Sequence, residues 1–377
     1  MLKIAVIVGT RPNFIKHYAF SKACIQNDIN FFTIHTGQHS DPEMSESLFQ
    51  ELGIRQPEYM FDFKKDLPAN DHKQQSEFIE KALSRERPDV TVVFGDVTSS
   101  RIGALASAKL SIPVAHVEAG VHTDSLDNPE ELNRRVVEMS AHTLFPHTEH
   151  ALKTLLDAGY SEDNVFLTGD IMKDALLRAA SLHQITQEKK GYLLVTVHRA
   201  ENTDNSARLT KICEALIRSK RKIIFPVHPR TKGAMKRFDL WDRLEKCETI
   251  TILPPQSYVP MLRLTAGADK VISDSGGLRR EAYILGKPVV SLIELNWVPE
   301  MVDAGWEWMA GADMEKIQQG IEAFTPPKMQ PTIFGDGKAA ERIITVLSER
   351  YGRRIDRHKK VPSRVLSIEN HPLHLAD

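Results

Sequence analysis

Short apolar runs alternate along the chain with longer stretches in which apolar residues recur at helical spacing. Helices are predicted in stretches such as Gln75–Arg85 and Ser99–Lys109. The first series of apolar runs predicts strands at Ile4–Val8, Phe31–His35, Val90–Phe94, Val114–Val117 and Val165–Leu167. Apolar strands that alternate with helices are typical of a parallel sheet covered by helices on both faces.

A second series of the same kind follows a polar segment, "SLHQITQEKKG", which we interpret as the linker between two domains. Its predicted strands are Tyr192–Val197, Ile223–Val227, Thr249–Leu253, Lys270–Ser273 and Val289–Leu292. The predicted fold class is α/β, with two doubly wound parallel-sheet domains and a cleft between them. The domains are placed at 1–185 and 186–352, the second ending in a helix at Lys338–Arg350. We expect the tail, 353–377, to be partly irregular and to pack back on the N-terminal domain.

Composition narrows the range of partners. The 377 residues are 41% hydrophobic and 26% charged, and the formal net charge is -1. This balance argues against a nucleic acid or an anionic membrane as partner. No apolar run approaches the roughly 20 residues of a spanning helix. The three cysteines lack metal-ligand spacing, so we expect a reduced, cytoplasmic protein without a bound metal: Cys24, Cys213 and Cys247.

Charged side chains follow the predicted strands of the first domain, where a doubly wound sheet binds its ligand. Arg11 and Lys16 come after the first strand at a predicted helix start, which favours an anion. The alternative interpretation is a turn with two solvated cations. Asp96 ends the third strand and could be an N-cap. Glu130 lies in the first turn of a predicted helix, where the helix dipole stabilises an acid. Glu118 has no such explanation, because it ends the fourth strand.

The second domain repeats the pattern with different side chains. His198 ends one strand and His228 ends the next, although a lone histidine is more often structural. Ser275, Gly276 and Gly277 open a helix after a third strand, and small residues there let backbone N–H groups approach phosphate oxygens. The strand ends together predict an anionic, diphosphate-containing ligand, with carboxylates and a histidine near its reacting carbon.

Nine motifs in order resemble the non-hydrolysing UDP-N-acetylglucosamine 2-epimerases, including the branch that acts on UDP-2,3-diacetamido-glucuronate. They are "GTRPNFIK", "HTGQHSDPEMS", "GDVTSS", "HVEAG", "NPEELNRR", "TGDIMKDAL", "VTVHRAENTD", "PVHPRTK" and "DSGGLRREAYILGKPVV". The resemblance implies a glycosyltransferase-B-like fold with UDP in the cleft. It implies that C2 of the sugar loses its proton, UDP leaves C1, and UDP adds back to the glycal after reprotonation on the other face.

The resemblance also assigns residues, by position within the motifs. The catalytic positions are Asp96, Glu118, Glu130 and His198. The positions that bind the UDP-sugar are Arg11, Lys16, Gln256, Ser275, Gly276, Gly277 and Glu281. The site where some members bind a second UDP-sugar as activator is matched by Gln38, His39, Met44 and His228. No cofactor and no metal are implied, and we expect a homodimer.

Departures from the family pattern keep other readings open. His122 and Val298 stand where arginines are expected, and Arg279 and Arg280 are additional cations. An extra cation would suit the carboxylate of UDP-2,3-diacetamido-glucuronate, the alternative substrate. A glycosyltransferase of the same fold would leave the carboxylates and His198 unexplained. A UDP-sugar-binding homologue with weakened catalysis would account for the segment "IELNWVPE".

Overall fold

The computed structural model describes residues 2–38, 42–61, 72–123, 128–188 and 190–352. The chain forms two compact units. The first contains Met1–Arg178 and the segment that begins at Thr332, and the second is Ala179–Pro331. Each unit has its own sheet and its own apolar core. The predicted fold class of two doubly wound parallel-sheet domains is confirmed.

The first unit is built on a six-stranded parallel sheet of order β3-β2-β1-β4-β5-β6. Its strands, β1 to β6, are Lys3–Val8, Asn30–His35, Tyr59–Met60, Val90–Phe94, Val114–Ala119 and Thr143–Pro146. Its first seven helices, α1 to α7, are Arg11–Gln26, Pro42–Leu52, His72–Glu86, Thr98–Lys109, Pro129–Ser140, Glu149–Asp157 and Ile171–Leu182, the last of which crosses into the second unit. The central strands are almost wholly buried, as sheets covered on both faces require.

The second unit repeats this topology with the order β12-β11-β10-β7-β8-β9. Its strands, β7 to β12, are Leu193–Thr196, Ile223–Pro226, Ile250–Leu253, Lys270–Ser273, Val289–Ser291 and Glu307–Met309. Its helices, α8 to α15, are Ala200–Thr203, Ser206–Arg218, Pro229–Arg237, Trp241–Glu245, Tyr258–Gly267, Gly276–Ile284, Pro299–Asp303 and Met314–Glu322. No helix among the described residues of either unit is long and apolar enough to cross a membrane.

Four strands differ from the prediction. Residues Val165–Leu167 are not a strand, since only an isolated bridge joins Val165 to Leu144. The sixth strand of the first sheet is Thr143–Pro146, which the apolar pattern did not reveal because it is short and ends in proline. The edge strands Tyr59–Met60 and Glu307–Met309 were also missed, since so few residues carry no periodicity.

The last helix, α16, spans Ala339–Tyr351 and lies in the first unit, whereas the sequence placed it in the second domain. The Asp174 carboxylate accepts hydrogen bonds from the backbone N–H groups of Ala339 (3.1 Å) and Ala340 (2.7 Å). The Tyr351 hydroxyl lies 2.7 Å from the Thr143 hydroxyl on β6. These contacts, which join positions far apart in sequence, decide where α16 packs. The tail, 353–377, lies outside the described residues.

Candidate functional site

The strand order places a topological switch point in each unit. In the first sheet the chain builds outward from β1 to β3 and then from β4 to β6, so the switch point lies between β1 and β4. In the second sheet it lies between β7 and β10. Doubly wound sheets bind ligands at the carboxyl ends of the strands that flank this point. We describe the two strand-end clusters separately.

Lys16 and Glu118 form a buried ion pair in the first unit. The Lys16 Nζ atom lies 2.5 Å from a Glu118 carboxylate oxygen, and both side chains are less than a tenth exposed. Lys16 comes from the second turn of α1 and Glu118 from the carboxyl end of β5. A buried carboxylate without a partner would be strongly unfavourable. The Lys16 ammonium therefore stabilises the Glu118 carboxylate, which is buried at the carboxyl ends of the strands.

Glu118 also has an unusual backbone. Its φ is +70°, in the left-handed region that few residues other than glycine adopt. The pairing of β5 with β6 shifts register between Val117 and Ala119, on either side of it. Gly95, at the end of β4, has a φ of +60°, and a Cβ built there would lie only 3.0 Å from the Lys16 Nζ atom. Strained backbone of this kind is concentrated at functional sites.

Asp96 lies at the same edge of the sheet and is paired with Arg134 of α5. The N-cap of α4 is Val97, so Asp96 does not have the capping role that its position also allowed. Although burial lowers the pKa of Arg134, the carboxylates of Asp96 and Glu118 raise it above its ordinary value, with Glu138 and Glu131 adding to their effect. Arg134 is therefore a fixed positive charge among the strand-end acids.

Glu130 occupies the first turn of α5, as predicted. Its side chain is exposed, and its backbone N–H donates to the Asn128 side chain at 3.0 Å. The next residue, Glu131, is fully buried and points into the unit. The sequence did not single out Glu131, Arg134 or Glu138 as functional, although their spacing places all three on one face of α5.

In the second unit, Asp274 organises the segment that follows β7. Its buried carboxylate accepts the backbone N–H of His198 (3.0 Å) and of Arg199 (3.0 Å) and the side-chain amide of Asn202 (3.0 Å). The His198 Nδ1 atom lies 3.3 Å from Asp274 Oδ1. The sequence placed His198 at this strand end but missed Asp274, which directly follows the neighbouring strand β10.

His198 and His228 lie side by side, with ring centroids 5.9 Å apart. Burial lowers the pKa of His198; the Asp274 carboxylate opposes this shift, and the Arg199 and Arg230 charges add to it. Burial and the neighbouring His198 also lower the pKa of His228. A proton on His198 Nδ1 faces Asp274, which leaves Nε2 as an acceptor. His198 is therefore placed to accept a proton through Nε2.

The segment Ser275–Gly277 forms the start of α13, as predicted. Ser275 is the N-cap, and its hydroxyl accepts from the Leu278 N–H at 3.3 Å. The first N–H groups of a helix have no intrahelical acceptor, so Gly276 and Gly277 present donors suited to a phosphate. A Cβ on Gly276 would touch the ring of Trp297 at 3.4 Å, and the Arg199 guanidinium lies over that ring at 3.8 Å from its centroid.

The other predicted nucleotide-binding residues have varied surroundings. Glu281 is buried in α13, whereas the Gln256 side chain donates to the Pro254 carbonyl at 2.7 Å. Arg11 is the first residue of α1 and is partly exposed. Arg279, a cation considered for the sugar or diphosphate, is buried and paired with Glu307 of β12 at 2.5 Å. Val298 is also buried, at the N-cap of α14.

The predicted activator residues are only partly described. The Gln38 side-chain oxygen accepts from Ser99, at 3.0 Å from its N–H and 2.7 Å from its hydroxyl. His39 and the side chain of Met44 lie outside the described residues. His228 caps α10, with Nδ1 accepting from the Arg230 N–H at 3.2 Å. Across the described ranges, no three His, Cys, Asp or Glu side chains are grouped so that they could hold a metal ion.

Comparisons with known proteins agree with this geometry. The family model for UDP-N-acetylglucosamine 2-epimerase matches residues 22–348. A Methanococcus maripaludis protein described as a UDP-N-acetylglucosamine 2-epimerase homolog is 38% identical, over 92% of this chain and 99% of its own. The UDP-2,3-diacetamido-2,3-dideoxy-D-glucuronate 2-epimerase of Pseudomonas aeruginosa is 35% identical, over 92% of this chain and all of its own.

A solved structure gives the same result in three dimensions. The crystal structure of the Methanocaldococcus jannaschii UDP-GlcNAc 2-epimerase in complex with UDP-GlcNAc and UDP has a TM-score of 0.81 and 34% sequence identity. The match covers 92% of this chain and 100% of that one. Family model, relatives and structure thus agree over nearly the whole chain, and the chain belongs to the UDP-N-acetylglucosamine 2-epimerase family.

Proposed function

We propose that the protein is a UDP-N-acetylglucosamine 2-epimerase that interconverts UDP-GlcNAc and UDP-ManNAc without a cofactor or a metal. A base removes the proton from C2, and the electrons of the C2–H bond form the C1–C2 double bond as the C1–oxygen bond to UDP breaks. The products of this step are a glycal and UDP. UDP then adds back to C1 while a proton is delivered to the opposite face of C2.

The observation that carries this proposal is the buried Lys16–Glu118 pair at the end of β5. Removing a proton from a weakly acidic carbon requires a carboxylate that is fixed in place and shielded from water. Glu118 meets both requirements, with Asp96 and Arg134 at the same sheet edge. We assign proton transfer to Asp96, Glu118 and Glu130 in the first unit and to His198 in the second.

UDP is assigned to the second unit, where α13 begins with Ser275, Gly276 and Gly277. The helix N-terminus and its free donors favour the diphosphate. Gln256 and Glu281 are assigned to the nucleotide, and Arg11 and Lys16 of the first unit remain candidates for the diphosphate. Gln38, His39, Met44 and His228 are assigned to a second, activating UDP-sugar.

The charge pairing favours UDP-GlcNAc over UDP-2,3-diacetamido-glucuronate. A uronate needs a cation for its carboxylate. The Arg279 guanidinium is paired with the buried Glu307, and the His122 ring nitrogen lies 2.7 Å from a Glu138 oxygen. Two of the three side chains considered for the uronate carboxylate are therefore engaged with acids of the same chain.

The decisive experiment is incubation of the pure protein with UDP-GlcNAc in deuterated water. We expect deuterium at C2 of both UDP-GlcNAc and UDP-ManNAc, and Glu118→Gln should lower this exchange roughly 10²-fold or more. The same assay with UDP-2,3-diacetamido-glucuronate tests the alternative substrate. EDTA should not alter the rate. Binding of UDP-GlcNAc without deuterium at C2 would instead identify a UDP-sugar-binding homologue or a transferase.

We further propose a cytoplasmic homodimer. Leu105 of α4 and Leu132 and Met139 of α5 are large apolar side chains with 47% to 80% of their surface exposed. The two helices pack against each other, and Leu132 and Met139 lie two turns apart on one face of α5. Light scattering should give twice the mass of the chain, and Leu132→Glu with Met139→Glu should give a monomer. A monomeric wild-type protein would refute the dimer.

A further inference from the structure

Helix α5 buries charged side chains where a helix normally buries apolar ones. Glu131, Arg134 and Glu138 are spaced i, i+3 and i+7, which places them on one face. Their exposed fractions are 0%, 4% and 1%. Burying three charges is unfavourable unless each has partners, so the contacts that they make explain why they are there.

Glu138 fixes the backbone just after the strained Glu118. Its Oε1 atom accepts the Gly120 N–H at 2.7 Å, and its Oε2 atom lies 2.7 Å from His122 Nε2. Gly120 has a φ of +84°, and a Cβ there would lie 2.2 Å from the Ala151 carbonyl oxygen. The residue after the strand end is thus held in a single left-handed conformation by a charged hydrogen bond.

Glu131 fixes the same segment two turns earlier along α5. Its Oε2 atom accepts the Thr123 N–H at 2.9 Å and lies 3.1 Å from the Thr123 hydroxyl. Its Oε1 atom accepts from Arg135 Nε at 2.7 Å. Between them, Arg134 reaches the Asp96 carboxylate on the neighbouring strand end. One helix face therefore contacts residues 96, 120, 122 and 123.

We propose that Glu131 and Glu138 are positioning residues that hold the strand-end segment 118–123, and with it the Glu118 carboxylate, in its reactive geometry. Neither acid contacts the reacting atoms in this account. The inference rests on the proposed epimerase function only for its catalytic consequence. Misplacement of a catalytic group by about 1 Å is enough to lower a rate about 10²-fold.

The catalytic test compares three variants of α5. Glu138→Ala removes both contacts and should lower kcat about 10-fold to 10²-fold, with KM changed less than about twofold. Glu138→Gln retains an oxygen for the Gly120 N–H and should keep kcat within about tenfold of the wild type. Val137→Ala is the matched control, because it creates a cavity at the adjacent buried position and removes no side-chain hydrogen bond to the segment, since valine has no polar side-chain atom.

Two results of this comparison would overturn the proposal. One is an unchanged kcat in Glu138→Ala. The other is an equal loss of kcat in Val137→Ala at the same melting temperature, since this would make the effect one of general stability. If Glu138→Ala does not fold, Glu131→Ala tests the same claim at Thr123, because it removes the acceptor of the Thr123 N–H and should also lower kcat without raising KM.

A second measurement does not depend on activity. Amide hydrogen exchange of the unliganded protein should show protection at Gly120 and Thr123, because buried carboxylates accept both N–H groups. Glu138→Ala should speed exchange at Gly120 at least about tenfold, whereas Val137→Ala should not. Unchanged exchange at Gly120 would refute the positioning role. A wild-type protein that places no deuterium at C2 of the sugar would refute the epimerase function and leave this measurement valid.

Discussion

Because the Lys16–Glu118 ion pair is buried, we expect its loss to lower the stability of the protein by an amount that can be calculated. The Lys16→Met variant keeps an apolar stem but leaves the Glu118 carboxylate, 9% exposed, without its ammonium. Breaking a buried ion pair by removing one partner costs about 3–5 kcal/mol. In a domain of this size about 2–4 °C of melting temperature is lost per kcal/mol, so we expect a fall of roughly 6–20 °C.

The double variant separates charge pairing from packing. Glu118→Gln alone leaves the Lys16 ammonium without its carboxylate partner, whereas the double variant of Lys16→Met and Glu118→Gln removes both charges. The combined loss should therefore be smaller than the sum of the single losses, by about 0.5–3 kcal/mol. Urea denaturation of the four proteins, followed by circular dichroism, gives each free energy of unfolding. Losses that add to within about 0.5 kcal/mol would refute the idea that the ammonium stabilises the acid.

Three further predictions concern other buried groups. Burial lowers the pKa of His116 to about 4, so between pH 6.5 and 4 the unfolded chain binds a proton at His116 that the folded chain does not. The free energy of unfolding therefore falls as the pH falls. At pH 5 the wild type should lose about 2 kcal/mol of this free energy, and His116→Asn should not. Arg279→Met should destabilise the protein, because it leaves the buried Glu307 carboxylate without the guanidinium that it pairs with. The affinity for UDP, measured by calorimetry, should not change. A large loss of affinity would show that Arg279 binds the nucleotide. Asp274→Asn should lower kcat and shift the acidic limb of the pH–rate profile, because the carboxylate faces His198, and an unchanged profile would contradict this.

The sequence by itself determined the fold class and, to within one residue, the carboxyl ends of the strands that flank the two switch points. Parallel strands that are buried on both faces have continuous apolar runs in the sequence, and their order along the chain follows from the βα alternation. A strand such as Val90–Phe94 and the helix start at Gly276 were therefore predictable from local pattern alone. The chemistry of the strand ends was equally visible, since Asp96, Glu118 and His198 come directly after such runs.

The tertiary structure alone decided which residues support those strand ends. Nothing in the segment around Asp274 shows that its carboxylate will accept the N–H of His198, which is 76 positions away. The buried face of α5 has a helical spacing that could be read from sequence, but charged residues at that spacing normally face solvent. Only packing against β5 turns Glu138 inward, where it must find the Gly120 N–H to offset the loss of water. Contacts between distant positions form only when the whole chain packs into its tertiary structure, so the local sequence pattern does not predict them.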